Sequence, residues 1–220
     1  MEWDGSNGVL RYYDKAAKQN VTVDDGFTFL LLDQLATIKG WHDASDSGIF
    51  SNEVRDTKSE TLVVKAFKAG SILAEGFYSQ IRDRVAALGG NYIANCYIAF
   101  KSGNELKIGS VQFKGAALNS WLDFRKEHAA ALYEKAIQIK GFTEGKKGKI
   151  TFRTPVFHLK DITPETNEAA TELDRELQSY LAVYFKTPKT RQVEQATQEE
   201  PQSDGDPLPY ADQEEDEIPF

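Results

Sequence analysis

The sequence predicts an α+β, β-rich fold: a small curled β-barrel with helical insertions, followed by a disordered acidic tail. Three observations predict it. Runs of alternating apolar and polar residues outnumber runs of helical period, two of the alternating runs change phase midway, and the last part of the chain exchanges large apolar groups for acids. A length of 220 residues with 40% hydrophobic side chains suits one domain with appendages.

In chain order, strands are expected at Val9 to Asp14, Phe27 to Trp41 with a break, Gly48 to Asn52 and Thr61 to Phe67. Leu73, Phe77, Ile81, Val85 and Leu88 then recur every fourth residue and stop at Gly89-Gly90, which predicts a helix with a glycine stop. Further strands are expected at Tyr92 to Lys101 and Leu106 to Lys114. A second helix, near Ala116 to His128, places Leu118, Trp121, Leu122 and Arg125 on one face. Two more strands, Ala136 to Phe142 and Lys149 to Leu159, flank Gly145-Lys146-Lys147-Gly148, which reads as a hairpin loop. A third helix opens at Thr163-Pro164-Glu165, a capping residue followed by proline in the first turn, and carries Ala169, Ala170, Leu173, Leu177, Tyr180, Leu181 and Tyr184 along one side. The phase changes fall after Ile108, where Val111 and Phe113 take over, and at Pro155, where Phe157 and Leu159 do. A one-residue slip of face marks a bulge or bend, the device that coils a small sheet into a barrel.

The formal charge of -8 conceals an asymmetry. Ten of the 34 acids lie between Glu194 and Phe220, a stretch without Lys or Arg, which leaves 24 acids against 26 bases over residues 1–193. The body is mildly basic and the end of the chain carries the acidity. Rich in Gln, Pro and Gly, that end buries too little to offset the entropy of ordering, so 1–186 is expected to be the folded domain and 187–220 a disordered linker and tail. Apolar residues return only at the tip, Ile218-Pro219-Phe220.

No run approaches the roughly 20 apolar residues of a membrane span, and the opening Met1-Glu2-Trp3-Asp4 lacks the features of a secretory signal; a soluble, cytoplasmic protein is expected. A single cysteine, Cys96, excludes an internal disulfide or a multi-cysteine zinc site, and its alternating surroundings suggest a buried, inert thiol. His42, His128 and His158 are scattered, without metal-binding spacing. The stretch from Gly141 to Lys147 is one residue short of a phosphate loop and has Lys147 where a magnesium-binding hydroxyl belongs. Neither a catalytic group nor a cofactor or metal site is expected.

The residues favour binding instead. Cations stand beside rings on the polar sides of expected strands: Arg11 with Tyr12 and Tyr13; Trp41; Phe50 with Arg55 and Lys58; Lys107 and Lys114; and Lys147, Lys149 and Arg153. Rings stack on bases of any identity, while Lys and Arg attract the phosphate backbone, so the combination suits single strands without sequence preference.

A strand-rich, mildly basic body, a Gln/Pro/Glu-rich linker and the ending Asp216-Glu217-Ile218-Pro219-Phe220 resemble the single-stranded DNA-binding proteins of bacteria and their phages. The last three residues match the bacterial ending. Glu214-Glu215-Asp216-Glu217 keeps the charge of the usual aspartate run, and the body is similar to a phage-type or mobile-element version by class alone. The resemblance implies an OB-like barrel that binds and protects single-stranded DNA during replication, recombination and repair, in the bacterial host cytoplasm if phage-encoded. It also implies a tip, Asp216, Glu217, Ile218, Pro219 and Phe220, that docks into partner proteins of those processes. The 27 residues from Glu194 reach roughly 90 Å fully stretched and about 30 Å as a coil. An alternative expectation is a recombination mediator or loader whose body binds protein more than DNA, and a third, with no sequence support, is a nucleic-acid enzyme.

Overall fold

The computed structural model describes residues 1–68 and 71–193. The tail tip and the rest of 194–220 lie outside the described residues. Eleven strands and three α-helices are described, in the order β1 (Glu2–Asp4), β2 (Val9–Asp14), β3 (Gln19–Thr22), β4 (Thr28–His42), β5 (Ser47–Ser51), β6 (Leu62–Ala66), β7 (Ile72–Gly76), α1 (Tyr78–Ala87), β8 (Gly90–Ser102), β9 (Glu105–Phe113), α2 (Gly115–Glu127), β10 (Ala136–Lys147), β11 (Ile150–Lys160) and α3 (Pro164–Tyr184). The fold is α+β and strand-rich.

Its spine is the antiparallel pair β4 and β8, in register from Phe29 opposite Phe100 to Gly40 opposite Gly90. The expected break in β4 is a bulge between Leu31 and Asp33, so the strand bends without stopping. Such a long strand can share its second edge. Thr28 and Phe29 pair with β10, Ala36 bridges to Val54, and Lys39 to His42 pair with β5. The sheet therefore runs β3-β2-β1-β9-β8-β4-β5-β6-β7, with β10 and β11 branching from one end of β4.

Alternation along these strands sorts the core. Cys96 and Ile98 of β8 face a cluster built with Trp3, Phe29, Phe113, Phe157 and, from α2, Trp121 and Phe124. Ile38 of β4 joins Ile49, Val54, Leu62 and Val64 under Ile81 and Val85 of α1. On the opposite face α3 lays Ala170 beside Leu30 and Ala99, and Leu177 and Leu181 against Leu35. Burying side chains of this size contributes roughly 1.5–3 kcal/mol each.

Several expectations are corrected. The hydrogen-bonded ladder is open, ending at β3 and β7, and does not close into the expected curled barrel. Strand β11 does meet the β1–β2 turn, where the Arg153 backbone N–H donates to Gly5 O and Trp3 Nε1 donates to Arg153 O, both at 2.8 Å. The phase change in β9 is no bulge: its register with β8 is unbroken from Ala94 opposite Phe113 to Ser102 opposite Glu105. Both faces of β9 are covered, at different ends, since Leu106 and Ile108 pack toward α3 while Val111 and Phe113 enter the α2 core. The phase change in β11 does stand opposite a bulge, but the extra residue belongs to β10, between the pairs of Ile139 and Phe142. The first helix begins at Tyr78, because Leu73 lies in β7 and merely feeds the same core as Ile81. Packed structure also passes residue 186: residues 189–193 are helical, with Gln192 and Val193 buried. Lys189 Nζ donates to Thr61 O (2.9 Å) and Gln192 Nε2 to Tyr184 O (2.7 Å), which ties this extension to the loop before β6 and to the end of α3.

Candidate nucleic-acid interface

The predicted contacts fall in separate places. At the β1–β2 edge Arg11 holds Glu2 at 2.9 Å and Asp4 at 3.0 Å, and Lys114, the residue preceding α2, stands 3.6 Å from Glu2. Burial raises the Glu2 carboxyl, but Lys114 and Arg11 more than offset it and leave the group below its ordinary value. Arg55 pairs with Asp33 at 2.6 Å, donates to Gln178 Oε1 at 3.0 Å and lies over the Phe185 ring. Lys58 follows in the same exposed loop, its backbone N–H on Asp56 Oδ1 at 2.9 Å. Arg153 pairs with Glu144 at 2.9 Å, lies over the Phe142 ring and donates to Ser6 O. All three predicted arginines thus hold parts of the body together.

The predicted rings divide as well. Tyr12 and Tyr13 are exposed on opposite faces of β2, where it pairs with Val21 and Asn20 of β3. Lys107 is exposed on β9 opposite Phe100. Trp41 and Phe50 share one half-buried face of β4 and β5, with Lys39 and Lys65 aligned beside Phe50. Those two lysines were missed in the sequence, although Lys39 stands two residues before Trp41 and so on the same face of a strand. This face lies at the far end of β4 from β10, roughly 40 Å away at the usual rise of a strand.

The densest group of cations among the described residues is in the β10–β11 hairpin. From Lys140 to Thr154 no residue is buried, and beyond the pair of Gln138 with Thr28 its ladder partners are only each other, Arg153 alone reaching the β1–β2 turn through its backbone, so the end of the ribbon projects from the sheet. Residues 140–153 contain five cations, Lys140, Lys146, Lys147, Lys149 and Arg153, against one acid, Glu144. Without this stretch the rest of 1–193 holds 23 acids and 21 bases. The positive excess of the body therefore resides here. The register gives the ribbon two faces. Phe142, Glu144 and Arg153 lie on the side that meets Gly8 in the β1–β2 turn. Thr143 and Thr154, Gly145 and Phe152, and Lys147 and Ile150 make the other. The half-exposed Phe152 ring rests on Gly145, where any β-carbon would come within 2.5 Å of it. At the root of the ribbon is a cleft of about 250 Å³ whose lining includes Trp3, Leu10, Phe27 and Ile139 together with Asp24 and Asp25; acids there repel phosphate.

Cys96 is fully buried, and burial pushes its thiol up, away from the reactive thiolate. Tyr97 is pushed up by burial and by Glu53, whose carboxylate accepts from Tyr97 Oη (2.6 Å) and Asn95 Nδ2 (2.5 Å). That carboxylate is tied into the packing around α3, since Tyr184 Oη accepts from the Glu53 backbone N–H at 2.8 Å. Among the described residues no three His, Cys, Asp or Glu side chains gather as a metal site, and no helix is long and apolar enough to cross a membrane. The chain matches no family model, curated protein or solved structure.

Proposed function

We propose that the protein binds and protects single-stranded DNA without strong sequence preference, in the replication, recombination and repair of a phage or mobile element. The acidic tail recruits partner proteins through Asp216, Glu217, Ile218, Pro219 and Phe220. The observation that carries this reading is the division of charge along one chain: a body whose positive excess sits on a projecting ribbon bearing aromatic rings, and an end with ten acids, no base and an apolar tip. Phosphates demand the first, and a basic-rimmed apolar pocket on a partner suits the second. On this reading the strands β1, β9, β8, β4, β10 and β11 form an OB-like curled unit, which the contact of Arg153 with Gly5 and Trp3 supports. No catalytic step is assigned.

Titrating the full chain with oligo-dT and with duplex of equal length, at several salt concentrations, tests the proposal. The expected result is preference for the single strand and an affinity that falls steadily as salt rises. Affinity indifferent to salt, or equal for duplex, contradicts it. A second reading, a mediator or loader whose body binds protein more than DNA, is favoured by one observation: Arg11, Arg55 and Arg153 are engaged within the body. Under it the body shows little affinity for oligo-dT.

A further inference from the structure

Resting on the single-strand reading above, we propose that the β10–β11 ribbon is the arm that grips the strand. Lys147 on the outward face, Lys149 in the turn and Lys146 on the other face surround the end of the ribbon with charge for the phosphates, and the Phe152 ring stacks on an unpaired base. Three features of the arm carry this.

The first is charge. The arm alone changes the sign of the described body, so a polyanion approaching the molecule is drawn to it before any other element. The second is the ring. Phe152 rests on Gly145 and is partly exposed, and the part that solvent reaches is offered to a base; in a paired helix that base would be stacked on its neighbours. The third is order before binding. Arg153 donates to Ser6 O, pairs with Glu144 and lies over Phe142, while its backbone N–H holds Gly5 O, so the root of the arm is fixed to the β1–β2 turn. A fixed arm loses little conformational freedom on binding. Arg153, expected from the sequence to touch DNA, is on this account a positioning residue. The arm's outward face, with Phe152, Ile150 and Lys147, is the one turned away from that turn. Trp41 and Phe50, at the other end of β4, lie outside the contact.

The test uses the full chain and labelled oligo-dT. One variant is K146Q/K147Q/K149Q; its control is K126Q/K160Q/K186Q, which removes the same charge from exposed positions on or beside α2, β11 and α3. Single strands lose affinity with a log–log salt slope of about 0.7 per phosphate contact, so the arm variant should lower that slope by about 2 and weaken binding at least about ten-fold in low salt. The control should stay within about two-fold. Phe152→Leu keeps an apolar cover on Gly145, and should lose affinity on the order of ten-fold with its salt slope unchanged. An arm variant that binds like the unmodified chain, or a control that loses as much, overturns the arm's role while leaving the single-strand reading intact. Tighter binding to duplex than to oligo-dT would place the ribbon in a groove and overturn the stacking role. An unmodified chain that ignores oligo-dT removes both readings together.

Discussion

Glu2 sits between Arg11 and Lys114, and its carboxyl is held below the ordinary value of 4.5 although burial pulls it upward. A depressed carboxyl contributes stability that is complete above its unfolded pKa and is lost as pH falls through the folded one. Glu2→Gln should therefore lower Tm at neutral pH, by a difference worth under about 1 kcal/mol because the pair is partly exposed, and the gap should close in acid. Thermal melts of the two chains from about pH 7 down to about pH 3 check this; a gap unchanged at the acid end contradicts it. The same residue explains a limit of sequence reading. Arg11 beside Tyr12 and Tyr13 has the composition of a phosphate contact, yet Glu2 and Asp4 across the ladder occupy its guanidinium. Arg55 and Arg153 are answered by Asp33 and Ser6, 22 and 147 residues away along the chain. A cation's neighbours in sequence do not name its partner in space.

Elements with strong local patterns were legible, and those defined by their neighbours were not. Strand β2 and helices α2 and α3 carry clear periods, and Thr163 caps α3 as expected, its Oγ1 accepting from the Thr166 backbone N–H at 3.3 Å. Strands β1 and β3 are three and four residues long and mostly polar, and exist because β9 and β2 offer them edges. The bend of the sheet was expected from phase changes, and half of that inference failed where α3 covers β9 from outside. A hairpin was readable, but its loop, expected at Gly145-Lys146-Lys147-Gly148, is the shorter turn at Gly148-Lys149, because Gly145, Lys146 and Lys147 pair with Phe152, Thr151 and Ile150; that the end of the ribbon projects depends on how β4 divides its edge. On its other edge β4 approaches the start of β8 closely, where a β-carbon at Gly40 would meet Gly89 O at 2.0 Å. The obstacle is backbone, which cannot rotate aside, so Gly40→Ala should destabilise the fold by about 1–3 kcal/mol or more. Urea denaturation measures it, and an unchanged midpoint would mean the two strands can part at no cost.

At the scale of the whole molecule, the charge arithmetic was fully visible in the sequence and its placement was not. Residues 1–193 hold 26 bases against 24 acids, and the structure adds that the surplus lies on one arm. The proposed division of labour follows: the body holds the strand, and the acidic end, ten like charges that repel phosphate, serves other proteins. Its most direct test is the titration of oligo-dT with two chains side by side, one complete and one lacking Asp212 to Phe220. The account predicts salt-dependent binding by both, with equal or higher affinity in the shortened chain. Loss of binding on removal of the acidic end, or its absence from both chains even in dilute buffer, would contradict it.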